Sequence, residues 1–377
     1  MAPIIKEIEK DVRFESCVVV TAQHREMLDQ VLETFAIKTD YDLNIMTPNQ
    51  TLAAITSRSI ALLDDVFDQV KPDMVLVHGD TTTTFAAALT AFYHQIPIGH
   101  VEAGLRTYDK YSPFPEEMNR QMTDALADLY FAPTSLSRDN LLKANYDASQ
   151  IYVTGNSAID ALAYTVTPEF SHEALKNSEA KKILITMHRR ENLGQNMMQV
   201  FRAINQILDK HANIEIIFPM HKNPKIRALI STHLKPSSRL HLIEPLDVFE
   251  FHNLAKRSDL ILTDSGGIQE EAPSLGVPVL VLRESTERPE GVAAGTLKVV
   301  GTFEEDVVSA VDGLLSDPVA YEKMATAQNP YGDGKTSERI VSIIARYFDS
   351  TVEILPEFSD KTTPNRKGDP DEKKLVD

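Results

Sequence analysis

Residues 259–275 read D-L-I-L-T-D-S-G-G-I-Q-E-E-A-P-S-L, an apolar run that breaks at a turn of small residues and enters a helix-compatible stretch. Two glycines let backbone N–H groups approach an anion closely, the hydroxyl of Ser265 can add a hydrogen bond, and the following helix directs its positive end at the bound charge. A carboxylate at Glu270 or Glu271, one turn into the helix, can accept hydrogen bonds from a vicinal diol such as ribose. The stretch therefore predicts a nucleotide site in an α/β fold.

The same turn excludes several nucleotide-binding classes. It lacks the lysine of a Walker loop and the G-x-G-x-x-G spacing of a dinucleotide site, which argues against kinases, NTPases and nicotinamide enzymes. The alternative that this stretch alone leaves open is a structural glycine turn, which joins strand to helix in many α/β proteins.

Short β-branched runs alternate with helical patterns along most of the chain, which predicts parallel sheets covered by helices. The fold class is therefore α/β, with two Rossmann-like, doubly wound domains whose carboxyl strand ends share an interdomain cleft. The predicted strands are 17–21, 74–77, 96–101, 129–132, 151–154, 183–186, 214–218, 240–243, 260–263, 277–282 and 297–300.

The polar stretch Thr165–Lys182 separates five predicted strands from six, and we interpret it as the linker. We predict an amino-terminal domain at 1–165, a carboxyl-terminal domain at 166–338, a helix at 339–350 that packs back on the first domain, and a charged, disordered tail at 351–377. Residues 1–11 have a helical pattern. Because a parallel domain normally opens with a strand, we expect the first strand of the amino-terminal domain to be missing.

The length and net charge of the chain limit the number of domains and the classes of partner. A chain of 377 residues fits two domains, and a net charge of -17 argues against a nucleic-acid partner. The single cysteine, Cys17, lies in an apolar run that predicts burial, and it has no partner for a disulfide. The sequence has no stretch apolar and long enough to cross a bilayer and no signal peptide, so we expect a cytoplasmic protein without a membrane partner.

Two acidic residues follow neighbouring predicted strands of the first half. Asp80 lies in H-G-D-T-T-T-T at 78–84, and Glu102 lies in H-V-E-A-G-L-R at 100–106. For Asp80 the structural alternative is a helix N-cap, since aspartate is a favoured cap. Two adjacent strand ends that each carry an acid instead indicate a pair of acid/base groups at one edge of a sheet.

A third acid, Glu116, begins a predicted helix after Pro115. Its structural alternative is a surface ion pair with Arg120, which lies four residues later on the same helix face. The functional interpretation requires Glu116 to face the cleft.

Basic groups follow two strands of the second half. His188, Arg189 and Arg190 follow strand 183–186, and His221 and Lys222 follow strand 214–218. Clustered at strand ends of an acidic protein, they predict a pyrophosphate site, to which Arg288 can contribute. A metal site is not indicated, because histidines and carboxylates do not occur at ligand spacing on one element.

Five motifs in order resemble those of the bacterial non-hydrolysing UDP-N-acetylglucosamine 2-epimerases, and the resemblance extends from Met1 to about Phe348. They are H-G-D-T-T-T-T at 78–84, H-V-E-A-G-L-R at 100–106, P-E-E at 115–117, H-R-R-E at 188–191 and D-S-G-G-I-Q-E-E-A-P at 264–273. The resemblance implies the two-domain GT-B-like architecture, a homodimer, and interconversion of UDP-GlcNAc and UDP-ManNAc without a metal or nicotinamide cofactor.

The resemblance also implies residue roles. The acid/base groups and the group that assists the departing diphosphate are Asp80, Glu102, Glu116 and His188. UDP is held by His188, Ser265, Gly266, Gly267, Glu271 and Arg288. A second UDP-GlcNAc, the activator, is contacted by Gln23, Arg189 and His221. The resemblance further implies that the product supplies ManNAc units for cell-surface polysaccharide.

One departure lies at the start. Family members carry a strand, a Gly-Thr-Arg-Pro-Glu loop and a lysine before the segment that matches Met1–Pro3, so we expect a shortened chain whose activity rises when that segment is added. Three other functions stay open at this point: a GT-B glycosyltransferase, a hydrolysing epimerase that releases ManNAc and UDP, and a UDP-sugar sensor without catalysis.

Overall fold

A computed structural model describes residues 1–22, 25–47, 50–177, 179–189 and 192–360. Each of the predicted strands overlaps an observed one, and β2 is an additional short strand that the sequence pattern did not indicate. The strands are β1 (Val19–Val20), β2 (Tyr41–Asp42), β3 (Val75–His78), β4 (Ile98–Val101), β5 (Leu129–Ala132), β6 (Ile151–Val153), β7 (Lys181–Thr186), β8 (Ile214–Pro219), β9 (Leu240–Ile243), β10 (Leu260–Thr263), β11 (Val279–Val281) and β12 (Leu297–Val299).

Helices connect these strands. They are α1 (Ala2–Ile8), α2 (Arg25–Thr34), α3 (Leu52–Val70), α4 (Thr82–Tyr93), α5 (Glu116–Leu126), α6 (Ser135–Lys143), α7 (Ser157–Thr165), α8 (Gln195–Lys210), α9 (Pro224–His233), α10 (Val248–Lys256), α11 (Gly266–Glu271), α12 (Pro289–Ala294), α13 (Glu304–Ser316), α14 (Pro318–Ala325) and α15 (Thr336–Phe348).

The carboxyl-terminal sheet has six parallel strands in the order β12-β11-β10-β7-β8-β9. The chain therefore builds outward from β7 to one side and then returns to build from β10 to the other, which is the doubly wound arrangement. Ligands of such sheets bind beyond the carboxyl ends of the two strands at this reversal. The turns that follow β7 and β10 lie at that position.

Both faces of this sheet are covered, which explains its nearly continuous apolar strands. Ile183 and Ile185 point to one face, where Phe201 of α8 belongs to the same buried cluster. Leu184, between them in sequence, points to the other face with Leu254 of α10. The two buried layers hold the carboxyl strand ends rigidly in place.

The amino-terminal domain contains a four-stranded parallel sheet, in the order β3-β4-β5-β6, and a separate parallel pair, β1-β2. Its first described element is α1, as the helical pattern of residues 1–11 predicts. Ile4 of α1 is fully buried with Ile340 and Ile344 of α15. The last helix therefore packs on the amino-terminal domain. It begins at Thr336 rather than at 339, because the carboxylate of Asp160 accepts hydrogen bonds from backbone N–H groups of its first turn.

The predicted linker is too long at both ends. Thr165 is the last residue of α7, and Lys181 and Lys182 are the first two residues of β7. Because both lysines are charged, the sequence pattern did not predict that the strand begins with them. Lys182 is buried there because its Nζ pairs with Glu215 Oε2 at 2.6 Å.

The prediction of a disordered tail from residue 351 is wrong for residues 351–360. Phe358 is buried under the guanidinium of Arg339, and its backbone N–H donates to Val153 O at 2.8 Å. Asp360 accepts a hydrogen bond from the backbone N–H of Ser135, at the start of α6. The buried ring of Phe358 and the carboxylate of Asp360 thus order a segment whose composition predicted disorder. Residues 361–377 lie outside the described part of the chain.

Two further observations concern the surface. Cys17 is exposed, so its predicted burial is wrong: the observed strand β1 begins at Val19, and Cys17 precedes it. Among the described residues, no helix combines the length and the apolar character needed to cross a bilayer.

Candidate active site

The turns after β7 and β10 are joined by one buried side chain, Asp264. Its carboxylate accepts hydrogen bonds from the backbone N–H groups of His188 and Arg189, at 3.1 and 3.0 Å, and from Asn192 Nδ2 at 2.9 Å. Asp264 follows β10 directly, so it attaches the β7 turn to the predicted phosphate turn. His188, Arg189 and Ser265 are therefore held at one edge of the sheet.

The phosphate turn is open. Ser265 is the N-cap residue of α11, and its own backbone N–H donates to Thr263 Oγ1 at 3.0 Å. Gly267 is exposed, and a Cβ built on it would have no described atom within 4 Å. A Cβ on Gly266 would lie 3.0 Å from Glu287 Oε1. The first turn of α11 thus presents backbone N–H groups beside a space that only small residues leave free.

Cations surround this turn. Arg189 Nη2 lies 2.8 Å from Glu287 Oε1, and Arg283 forms a hydrogen bond with the other oxygen of Glu287. Burial by itself would raise the pKa of Glu287, but a backbone hydrogen bond and the two arginines lower it to about 2. Glu287 is therefore a carboxylate at neutral pH, and it neutralises cations that would otherwise face the phosphate turn.

Two of the three predicted activator residues, Arg189 and His221, also lie at this edge. The half-exposed ring of His188 stacks on that of His221, with centroids 6.1 Å apart and an interplanar angle of 13°. Arg189 follows His188 in the same turn. Gln23, the third predicted contact, lies outside the described residues, as does Arg190.

The two glutamates at the end of α11 have different surroundings. Glu270 is buried, pairs with Arg288 Nε, and accepts a hydrogen bond from Asn156 Nδ2 at 2.6 Å. Burial raises its pKa, and Arg288 opposes that effect. Glu271 is partly exposed and lies 3.2 Å from His252 Nε2. Of the two, only Glu271 has solvent access for a diol, since Glu270 is occupied by Arg288 and Asn156.

Asp80 is not the cap of α4. Thr81 occupies that position, and its hydroxyl accepts a hydrogen bond from the backbone N–H of Thr84. Asp80 Oδ2 instead pairs with Arg120 Nη2 at 2.6 Å. The structural alternative for Asp80 is therefore wrong. Its carboxylate is held by a cation from the next helix.

Glu102 enters the site from the end of β4 in a left-handed backbone conformation, with φ of 68°. Burial raises its pKa to about 7, Glu270 and Asp80 add to the increase, and Arg288 opposes it. His78 Nε2 lies 3.7 Å away, but burial lowers the pKa of His78 well below its usual range, so this ring is neutral. Glu102 can therefore both accept and release a proton near neutral pH.

Glu116 begins α5 and is partly exposed. The structural alternative, an ion pair between Glu116 and Arg120, is not formed, because Arg120 contacts Asp80 and Glu117, at 2.6 and 3.3 Å. Glu117 is buried and holds the backbone of Thr107 with a 3.0 Å hydrogen bond. In the described part of the chain, no hydrogen bond or ion pair joins the side chain of Glu116 to another residue of the site. Its catalytic role stays a prediction.

A pocket lies between the two domains at Glu102 and Arg288, and its empty space, which includes open solvent, amounts to about 260 Å³. Its walls include Thr134 and Asn156 from the first domain, and Glu270 and Tyr331 from the second. In the described part of the chain, no three histidine, cysteine or acidic side chains are grouped so that they could hold a metal ion. The pocket offers a proton-exchanging carboxylate opposite a guanidinium.

Sequence reasoning missed Asn156, Glu287 and His252. Asn156 follows the carboxyl end of β6, so the rule that selected Asp80 and Glu102 would also have selected it. Glu287 precedes Arg288 in sequence, and its negative charge among arginines was the signal that could have identified it. His252 lies within α10, away from any strand end, and nothing in the local pattern distinguishes it.

The fold and the site together define a two-domain α/β protein with an open glycine turn at a helix start in one domain and carboxylates that follow neighbouring strands in the other. Residues 6–345 match the family model of UDP-N-acetylglucosamine 2-epimerase, and the chain belongs to this family. The predicted resemblance, fold class and enzyme class are thereby confirmed.

Relatives support this membership over nearly the whole chain. The UDP-N-acetylglucosamine 2-epimerase of Bacillus subtilis is 57% identical over 96% of this chain and 95% of its own length. A structure from S. aureus solved with UDP is 53% identical, with a TM-score of 0.88 over 95% and 96% of the two chains. The UDP-GlcNAc 2-epimerase of Neisseria meningitidis bound to UDP-GlcNAc is 49% identical, with a TM-score of 0.84 over 92% and 96%.

Proposed function

We propose that this chain is a non-hydrolysing epimerase that interconverts UDP-GlcNAc and UDP-ManNAc, through elimination and re-addition of UDP. The observation that carries the proposal is the position of Glu102, whose pKa is about 7, in the same pocket as Arg288. A relative solved with UDP-GlcNAc supports the substrate class.

The reaction follows from the weak acidity of the hydrogen on C2 of the sugar. A carboxylate removes this proton, the C2–H electron pair forms the C1=C2 bond of 2-acetamidoglucal, and the C1–O bond breaks with its electron pair leaving on UDP. Return of UDP to C1 with protonation of C2 on the opposite face completes the inversion. Both directions need carboxylates near the ring and cations near the diphosphate.

The proposed roles follow this scheme. Asp80, Glu102 and Glu116 are the acid/base groups, and His188 stabilises the departing diphosphate. Arg120 orients the carboxylate of Asp80 through its 2.6 Å contact. Ser265, Gly266 and Gly267 hold phosphate oxygens, Arg288 lies beside them, and Glu271 holds the ribose.

Regulation is proposed at the edge formed by Arg189 and His221. A second UDP-GlcNAc bound there would compete with Glu287 for Arg189, because a diphosphate carries more negative charge than a single carboxylate. We propose that this molecule activates the enzyme, that the chain works as a homodimer, and that its product feeds cell-surface polysaccharide. Sigmoidal dependence of rate on UDP-GlcNAc, and sedimentation velocity, test the first two statements.

The chemistry is tested by incubating the enzyme with UDP-GlcNAc in deuterium oxide and following the sugar by NMR. Deuterium at C2 of both UDP-sugars supports the proposal, and Glu102→Gln should abolish its appearance. Net release of ManNAc and UDP would identify a hydrolysing epimerase, in which water intercepts the glycal. Sugar transfer without deuterium would identify a glycosyltransferase, and binding without either outcome would identify a sensor.

A further inference from the structure

His252 connects the end of the phosphate-binding helix to the start of the linker. Its ring is buried, with 2% of the side chain exposed, and its Nε2 lies 3.2 Å from Glu271 Oε2. Its Nδ1 lies 2.7 Å from the hydroxyl oxygen of Thr165. We propose that His252 is a positioning residue that fixes the carboxylate of Glu271 and so sets the preference of the site for ribonucleotides over 2′-deoxyribonucleotides. This inference rests on the proposed function, in which Glu271 binds the ribose.

The chemistry of the side chains limits which atom donates in each hydrogen bond between Glu271, His252 and Thr165. A carboxylate only accepts, so His252 Nε2 carries the hydrogen and donates to Glu271. The Thr165 hydroxyl has one hydrogen, which it can donate to Ala161 O, at 3.0 Å, or to His252 Nδ1, and its oxygen can also accept a hydrogen from Nδ1. Both ring nitrogens have a partner, and the ring orientation is fixed.

The supporting elements are also held. Helix α10, which carries His252, begins with a capping box formed by Asp247 and Glu250. The next residue, Asn253, donates from Nδ2 to Thr165 O at 2.6 Å and accepts from the backbone N–H of Thr167 at 3.0 Å. Thr165 therefore stays against α10, and His252 has little freedom to turn away from Glu271.

A fixed carboxylate matters because a ribose presents two hydroxyl groups in a defined geometry. The terminal torsion of a glutamate is broad, so an unsupported carboxylate samples many orientations. His252 occupies one lone pair of Glu271 and leaves the others for the 2′- and 3′-hydroxyl groups. The partly exposed side chain of Glu271 gives these hydroxyl groups access.

The test compares binding of UDP and 2′-deoxy-UDP by calorimetry. Wild type should bind UDP about 10-fold or more tightly than 2′-deoxy-UDP, since one charge-assisted hydrogen bond is lost. In His252→Phe and Thr165→Val this ratio should fall toward one, because UDP loses its contacts to both hydroxyl groups, whereas 2′-deoxy-UDP loses only the contact to its 3′-hydroxyl group. Glu271→Gln is the reference for a disrupted ribose contact.

His241→Phe is the matched control. His241 Nε2 lies 3.1 Å from Glu215 Oε2, so it is another histidine–glutamate pair of the same domain. It lies at the amino ends of β8 and β9, on the side of the sheet away from the cleft. This variant should keep the wild-type ratio.

The outcomes separate the inference from the function on which it rests. If Glu271→Gln lowers the ratio but His252→Phe and Thr165→Val do not, the positioning role is wrong. If both variants bind UDP and 2′-deoxy-UDP more weakly by the same factor, the positioning role is also wrong, since that result indicates only structural damage. If wild type itself fails to discriminate, the ribose role of Glu271 is wrong, while deuterium exchange at C2 still tests the epimerase reaction. Thr165→Val decides the matter if His252→Phe does not fold.

Discussion

The side-chain amide of Asn156 donates a 2.6 Å hydrogen bond to the buried carboxylate of Glu270, from one domain to the other. The same Nδ2 lies 3.4 Å from Glu102 Oε1. Its Oδ1 accepts from the backbone N–H of Ala158 at 3.0 Å, which fixes the direction of the amide. One side chain thus connects the proposed acid/base carboxylate to the Glu270–Arg288 ion pair.

Asn156→Ser should separate this connection from the helix cap that Asn156 also provides. Serine keeps an acceptor at the start of α7 but removes both N–H donors. We expect kcat/KM to fall about 10-fold or more and the free energy of unfolding to fall by about 1–2 kcal/mol, because buried Glu270 loses a donor. Steady-state kinetics and urea unfolding measure the two effects.

The control for this prediction is Asp317→Ser. Asp317 caps α14 through the backbone N–H groups of Val319 and Ala320, and it is exposed. The variant makes a similar exchange of cap residue outside the pocket and should keep wild-type kcat/KM. Equal activity of the two variants would show that the Asn156 donor does not contribute to catalysis.

Glu102 should make stability depend on pH. Its folded-state pKa of about 7 lies above the usual value of 4.5, so the folded state binds the proton more tightly than the unfolded state. The resulting destabilisation is absent below the usual pKa, increases as pH rises, and is complete above about pH 7.

Glu102→Gln removes this effect. Relative to wild type, the variant should gain stability between about pH 5 and about pH 8, by no more than about 3 kcal/mol, since the partly exposed side chain retains some contact with water. Urea unfolding of both proteins at the two pH values measures the gain. A difference between variant and wild type that is the same at both values would contradict the raised pKa.

Gly267→Ala should separate folding from ligand binding. An added methyl group meets no described atom within 4 Å, so the free energy of unfolding should stay unchanged or rise by up to about 1 kcal/mol. If a diphosphate lies against this backbone, the methyl group blocks its approach, and affinity for UDP should fall about 10-fold or more.

Gly313→Ala provides the comparison, because Gly313 lies in α13 with equally open surroundings. It should gain about 0.5–1 kcal/mol of stability and bind UDP as wild type does. Calorimetry and thermal unfolding measure both variants. Wild-type affinity in Gly267→Ala would show that the diphosphate binds elsewhere.

Phe358→Ala should destabilise the amino-terminal domain. The ring is 5% exposed and lies under Arg339, so its truncation should lower the free energy of unfolding by about 3 kcal/mol. Leu355→Ala, at an exposed position of the same segment, should change it by less than about 0.5 kcal/mol. Similar small losses in both variants would mean that the segment does not contribute to the folded core.

Local pattern predicted the elements of this protein well and their ends less well. The apolar run before Ser265 specifies a buried strand, and the glycines after it specify a turn, because both depend on neighbours within a few residues. The same logic failed at Lys181 and Lys182, whose charges resemble a linker. The 2.6 Å contact with Glu215 and a 2.7 Å hydrogen bond to Asn177 O make the buried Lys182 tolerable in β7.

The sequence by itself determined the two α/β domains and the two sheet edges at which Asp80 and Glu102, and His188 and Ser265, emerge, since strand alternation places functional side chains at carboxyl ends. Only the tertiary structure decided their partners. Arg120 reaches Asp80 across 40 residues, Asn156 reaches Glu270 across 114, and His252 reaches Glu271 across 19. These pairs depend on how helices pack and how the domains meet, and no periodicity along the chain encodes such contacts.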